Sequence, residues 1–254
     1  MRFNESSYME SKGDVFNKFS ESLQNMDGRL HILDHHVPIE QQIEYLLYSY
    51  FVRKRRRKKL NESDYNKFLE KLESVELLKE EKKKILSILA SSSEIRAYRL
   101  LEQYAKNPDV ELVHWASMAL MESRIAIETE LSGEKQIFIS TGLGGKDGKL
   151  RFYVLLLSSQ KSPFADYQGR IIEKEFEYIL PKYDCEIERL SIESNYVELV
   201  ILLPFTVNIK KVLETVILEC NQYGNFLSTM LTVTNVKELN KDEVNQVLRD
   251  FWKS

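Results

Sequence analysis

The residues most able to do chemistry by type and spacing are seven consecutive cations, Arg53, Lys54, Arg55, Arg56, Arg57, Lys58 and Lys59. Arginine offers a planar fork of donors matched to phosphate oxygens, and a run of such charges neutralises several phosphates at once. On a helix these residues spread around the circumference and repel at i,i+4, so the run calls for an anionic partner. The whole chain carries a formal charge of −3, so removing these seven cations leaves −10. A basic segment on an acidic background suits an addressed partner better than indiscriminate coating of polyanions. Nucleic acid, as RNA or a ribosome, is the leading expectation. An acidic protein surface, an anionic membrane surface, or a solubilising helix end balanced by Glu62, Asp64 and Glu70 are the competing readings.

Catalytic chemistry is harder to assemble. Asp34-His35-His36, following the apolar Ile32-Leu33, resembles the signature that DHH phosphoesterases use at a metal centre. That resemblance implies further Asp-rich ligand motifs in a much longer α/β domain, and the sequence holds neither. His31, His35 and His36 are therefore read as surface or interface histidines, and no metal is expected. The segment Tyr196 to Tyr223 resembles the single-strand HUH transposases, in which a strand, a turn with Pro and a helix carry a histidine pair and a nucleophilic Tyr. Here the strand reads Val197-Glu198-Leu199-Val200, so Tyr223 would lack a metal to activate it. The resemblance bears on fold and not on activity.

The glycine-rich stretch Gly142-Leu143-Gly144-Gly145-Lys146-Asp147-Gly148 could admit an anion to its backbone N–H groups. Lys146 is followed by Asp147 and a strand rather than by Ser or Thr at a helix start, so a flexible hairpin with an Asp147-Gly148 turn is expected instead. His114 lies in a helix beside Trp115 and is read as packed, while Glu173, Glu175 and Glu177 belong on a solvated face. Cys185 and Cys220 fit neither a disulfide framework nor a metal spacing, and are read as buried thiols. The expectation is a non-enzymatic protein with no cofactor.

The elements that must position the basic run follow from periodicity. Pro38 opens a helix whose apolar positions Ile39, Ile43, Leu46, Leu47, Tyr50 and Phe51 mark one face, expected to pack into a bundle, and the cations extend or end it. Asn61 caps a helix with Phe68, Leu69 and Leu72, and another carries Ile85, Leu86 and Leu89. Ser93 caps a helix with Leu100, Leu101, Tyr104 and Ala105, and Asn107-Pro108 restarts a longer one with Leu112, Trp115, Ala116, Ala119 and Leu120. The stretch 93–131 resembles a single HEAT-type repeat, a helical hairpin near the usual length of about 40 residues. A small bundle is an equal alternative.

After Gly133 the pattern turns to strands. Strands at Gln136 to Ser140 and Leu150 to Ser158 precede a helix with Ile171, Ile172, Phe176, Ile179 and Leu180. Two strands follow, at Cys185 to Ser194 and Tyr196 to Leu203 with Asn195 as the turn. A helix capped by Asn208, a strand from Phe226 to Thr234 and a last helix with Val244, Val247, Leu248 and Phe251 complete the chain. The order from Leu150 is that of a split βαβ, or ferredoxin-like, fold.

The expected class is thus α+β. Residues 1–37 are read as an N-terminal arm with a short helix around Val15, Phe16, Phe19 and Leu23, residues 38–132 as a helical domain, and residues 133–254 as a ferredoxin-like domain with an antiparallel sheet. With 254 residues, 43% of them apolar, 13 Tyr and 12 Phe against 5 Pro and 9 Gly, packed elements are expected rather than disorder throughout. The first residues lack a basic-then-apolar leader, and no apolar run approaches the roughly 20 residues that cross a bilayer. The expected protein is a cytoplasmic adaptor or regulatory protein that binds an anionic partner through Arg53 to Lys59. A scaffold or homo-oligomeric assembly subunit is the alternative.

Overall fold

The computed structural model describes residues 29–55 and 59–253. The helix expected around Val15, Phe16, Phe19 and Leu23 and the cations Arg56, Arg57 and Lys58 lie outside the described residues. The chain forms two compact units that divide between Gly144 and Gly145. This boundary falls later than the change of sequence pattern at Gly133, because one strand belongs to the helical unit.

The first unit holds strand β1 (Arg29–Ile32), helices α1 (Ile39–Arg55), α2 (Glu62–Glu73), α3 (Lys79–Ala90), α4 (Ile95–Lys106) and α5 (Val113–Ser132), and strand β2 (Gln136–Ile139). Residues 29–37 are not an arm: β1 pairs in parallel with β2, His31 opposite Phe138, and Leu33 and Val37 are buried. Asn61 caps α2 as expected, accepting from the Asp64 N–H while Asp64 accepts from the Asn61 N–H. Ser93 does not cap α4. Glu94 stands at that position, and its N–H reaches the Ser92 hydroxyl instead. The core gathers Tyr45, Leu86, Leu89, Leu101, Trp115 and Ala119 from four of the helices, with Leu112 from the turn just before α5.

The α4–α5 hairpin forms at Asn107-Pro108-Asp109, and Asp109 ties it down. Its Oδ2 accepts from Lys82 Nζ of α3 at 2.7 Å and from the Tyr104 hydroxyl at 2.5 Å. The Lys82 hydrogen bond, then that of Tyr104, hold the Asp109 carboxyl below the usual range. The second tight site is the exit from β2. Gly144 has φ of +67°, and an added Cβ would stand 2.6 Å from the His35 carbonyl oxygen and 2.7 Å from that of Leu33. The turn from Thr141 to Gly144 is buried and closes with a Gly144 N–H to Thr141 O bond. This part of the glycine-rich stretch is therefore a packed connector, not a flexible hairpin.

The second unit is the α+β half. Strands β3 (Gly145–Lys146), β4 (Lys149–Ser158), β5 (Glu186–Ile192), β6 (Tyr196–Pro204) and β7 (Leu227–Thr234) alternate with helices α6 (Asp166–Ile179) and α7 (Ile209–Asn221), and α8 (Lys241–Lys253) ends the chain. Strand β4 lies at the centre, antiparallel to β6 on one side and to β7 and β3 on the other, with β5 beyond β6. With α6 and α7 as crossovers, this is the split βαβ arrangement, and the class is α+β. The burial of β4 on both faces explains its unbroken Phe-Tyr-Val-Leu-Leu-Leu run. The hairpin at Asp147-Gly148 is real, but it joins β3 to β4. The strand at Gln136 pairs with β1 instead.

Replacing Gly144 by Ala should destabilise the first unit by about 2–4 kcal/mol, since it combines positive φ with carbonyl overlap. Chemical denaturation followed by far-UV circular dichroism measures this. For Asp109, whose folded-state pKa is lowered, the contribution is fully present above the ordinary aspartate value of about 4 and is lost as pH falls through the lowered value. The stability gap between wild type and Asp109→Asn should accordingly shrink from pH 6 to pH 3, within roughly the range where carboxylates titrate.

Candidate anionic-partner interface

Helix α1 ends on the first three cations of the run, Arg53, Lys54 and Arg55, which complement the partial negative charge of the helix terminus. Arg53, Lys54 and Arg55 form its last turn and are exposed, as is Lys59. Arg53 is tied back to its own unit, with Nη2 3.3 Å from Glu122 Oε1. Among the described residues no carboxylate lies within ion-pair distance of Lys54, Arg55 or Lys59. Of the three acidic residues that could have balanced the run, two are engaged elsewhere, Glu62 with Arg96 and Asp64 in the α2 cap, while Glu70 is exposed and makes no ion pair with the described cations.

The rotation of α1 about its axis reverses the sequence expectation. Its buried residues are Gln42, Tyr45 and Ser49, while Ile43, Leu46, Leu47, Tyr50 and Phe51 are between 47% and 57% exposed. The cause is a polar seam. Glu122 of α5 accepts from the Tyr45 hydroxyl at 2.6 Å, and the Ser49 hydroxyl stands 2.6 and 2.8 Å from its two oxygens. Burial first, and Glu122 second, raise the Tyr45 phenol well above its ordinary pKa, so it stays a donor. Gln42 donates to the carbonyls of Val37 at 2.7 Å and Thr141 at 3.0 Å and accepts from Ser140. Tyr45 and Tyr48 meet the Trp115 ring edge-to-face at 5.2 and 5.3 Å. Lys83, 4.6 Å over the same ring, holds Glu44 at 2.7 Å.

Sequence reasoning missed this stripe because it assigned the apolar face to the core. One signal was available. The opposite face, Gln42, Tyr45, Ser49, carries no formal charge, which is unusual for a solvated helix face and compatible with burial against hydrogen-bonding partners.

The other chemistry-bearing residues do not converge. His31 is buried on β1, 2.6 Å from Gln136 Oε1 and 3.2 Å from Glu128 Oε2. His35 and His36 are exposed on the following turn. The His36 ring lies 6.4 Å from that of His114, whose pKa burial and then His36 lower. Among the described residues no three His, Cys, Asp or Glu side chains are grouped to hold a metal. Tyr223 is exposed beyond α7, and β6 presents Glu198, which accepts from the Tyr153 hydroxyl at 2.7 Å. Glu173 and Glu177 are exposed on α6, with Glu175 partly covered. Burial pushes the thiol pKa of Cys185 up to about 11 and that of Cys220 to about 12, which keeps both protonated. No helix among the described residues is long and apolar enough to cross a membrane.

No family model and no curated protein matches the chain. Among solved structures, a Deinococcus radiodurans R1 protein described as a candidate transposase matches with 14% identity and a TM-score of 0.33, covering 40% of this chain and 90% of that one. A REP-associated tyrosine transposase bound to a REP hairpin matches with 12% identity and a TM-score of 0.31, over 39% of this chain and 62% of the other. The CheA P2 domain in complex with CheY, from Thermotoga maritima, matches with 17% identity and a TM-score of 0.25, over 35% of this chain and all of that one. Likenesses this low transfer no function to the present chain.

Replacing Glu122 by Ala strands two buried hydroxyls and should cost about 2–4 kcal/mol. The accompanying change in near-ultraviolet circular dichroism should report the released Tyr45–Trp115 contact. An unaltered spectrum and melting temperature would contradict the seam.

Proposed function

We propose that the protein is a non-enzymatic cytoplasmic adaptor that engages RNA, free or on a ribosome, through the polybasic end of α1. The observation that carries this reading is the lack of compensation around the run: among its described members only Arg53 is neutralised within its own unit, and the neighbouring acids Glu62 and Asp64 are committed to Arg96 and to the α2 cap. Uncompensated cations at a helix end are a site for phosphate, and the arginine content suits bidentate contacts.

The test is binding of the full-length protein to a mixed-sequence single-stranded RNA, followed by fluorescence anisotropy across a salt series. Six phosphate contacts from Lys54 to Lys59 give an expected slope of log K against log salt of about −4, or roughly a 300-fold loss between about 50 and 200 mM. Replacing these six residues by Gln should flatten the slope and abolish binding. Salt-insensitive binding, no binding, or binding kept by the Gln variant would reject the proposal. Polyglutamate and anionic vesicles as competitors separate RNA from an acidic protein or a lipid surface, since preferential binding of either also rejects it.

A further inference from the structure

The exposed stripe on α1 is not explained by the basic run beside it. Ile43, Leu46, Leu47, Tyr50 and Phe51 follow the i, i+3, i+4, i+7, i+8 spacing of a helix contact face and extend, with the partly covered Ile39, over about 18 Å. Water-facing helices of a monomeric protein seldom keep so continuous an apolar stripe, and such a surface marks an interaction site. Phosphates do not match its aliphatic part.

The charges along α1 select the occupant. Glu40 lies at its N-terminal end, and Lys54 and Arg55 near its C-terminal end, with the apolar residues between them, while Glu44 is already held by Lys83. An anionic membrane would attract one end and repel the other. A second copy of the same helix, laid antiparallel, complements both. With a two-fold axis through Leu47, each Leu47 meets the other copy's Leu47, and each Ile43 meets the other Phe51. Each Glu40 then comes opposite the other copy's Lys54, on the same rim of the contact. Antiparallel helices also set their macrodipoles favourably. The stripe is thus close to palindromic in chemistry, which is what a self-complementary contact requires.

We propose that α1 mediates a homodimer through this antiparallel contact. Five side chains about half exposed present on the order of 450 Å² of apolar surface per copy, or about 900 Å² for the pair, at the low end for a specific interface. The dimer is therefore a weak, concentration-dependent one, with a dissociation constant of roughly tens of micromolar. It places Lys54 and Arg55 of the two copies at opposite ends of the contact, about 20 Å apart, so that one anionic polymer could engage both.

Sedimentation of the full-length protein over about 1 to 200 μM, a range bracketing the expected constant, tests the contact. Leu47→Asp leaves the buried seam untouched and should weaken association by at least about 100-fold. Glu40→Lys and Lys54→Glu should each weaken it by about three- to five-fold, and the double variant, in which the charges are exchanged, should recover wild-type association. Monomer throughout the range, a dimer indifferent to Leu47→Asp, or failure of the exchanged charges to rescue would each overturn the proposal. Association is measured without RNA, and Leu47→Asp keeps all seven cations, so loss of the dimer and loss of RNA binding are read separately.

Discussion

The carboxylate of Glu122 determines how the first unit presents itself. A mostly covered carboxylate on α5, beside a largely apolar core, demands donors, and α1 supplies them from Tyr45, Ser49 and Arg53 at successive turns. Desolvated donors and acceptors without partners cost more than a few exposed aliphatic side chains gain by burial. The helix accordingly turns its hydrogen-bonding face inward. The apolar stripe is left outside, with Lys54 and Arg55 exposed at the helix end.

The same constraint links the seam to the rest of the unit. Tyr45 both donates to Glu122 and stacks edge-on against Trp115, and Trp115 in turn lies under Lys83, which holds Glu44 on the outer flank of α1. Gln42 continues the seam onto the residues after β2, where Gly144 permits the chain to pass close beneath the carbonyls of Leu33 and His35. Rotation of α1, docking of β1 on β2 and the tight turn at Gly144 are thereby coupled. A change at one of them is expected to be felt by the others through shared hydrogen bonds rather than through distant mechanics.

Much of the secondary structure was legible because period and caps are local. Asn61 and Asn208 cap the helices assigned to them, Asn107-Pro108 breaks the α4–α5 hairpin, and the strand and helix order after Leu150 maps onto the split βαβ sheet. Pairing across long stretches was less legible. Gln136 to Ile139 has the alternation of a strand, yet its partner is more than a hundred residues upstream, and no local turn specifies a parallel pair. The glycine-rich stretch was misread for a similar reason. Flexibility was inferred from composition, whereas three of its glycines are buried, and Gly144 is required by an approach to backbone atoms distant in sequence.

What the residue order determined by itself is the inventory: an apolar stripe on one helix, seven consecutive cations that extend or end it, a central strand apolar enough to be covered on both faces, and two thiols without partners in sequence. Those follow from spacing and from the chemistry of each side chain alone. Which side of α1 meets solvent was decided only in three dimensions. Periodicity locates a helix's faces but carries no information about the single carboxylate on α5 that selects between them.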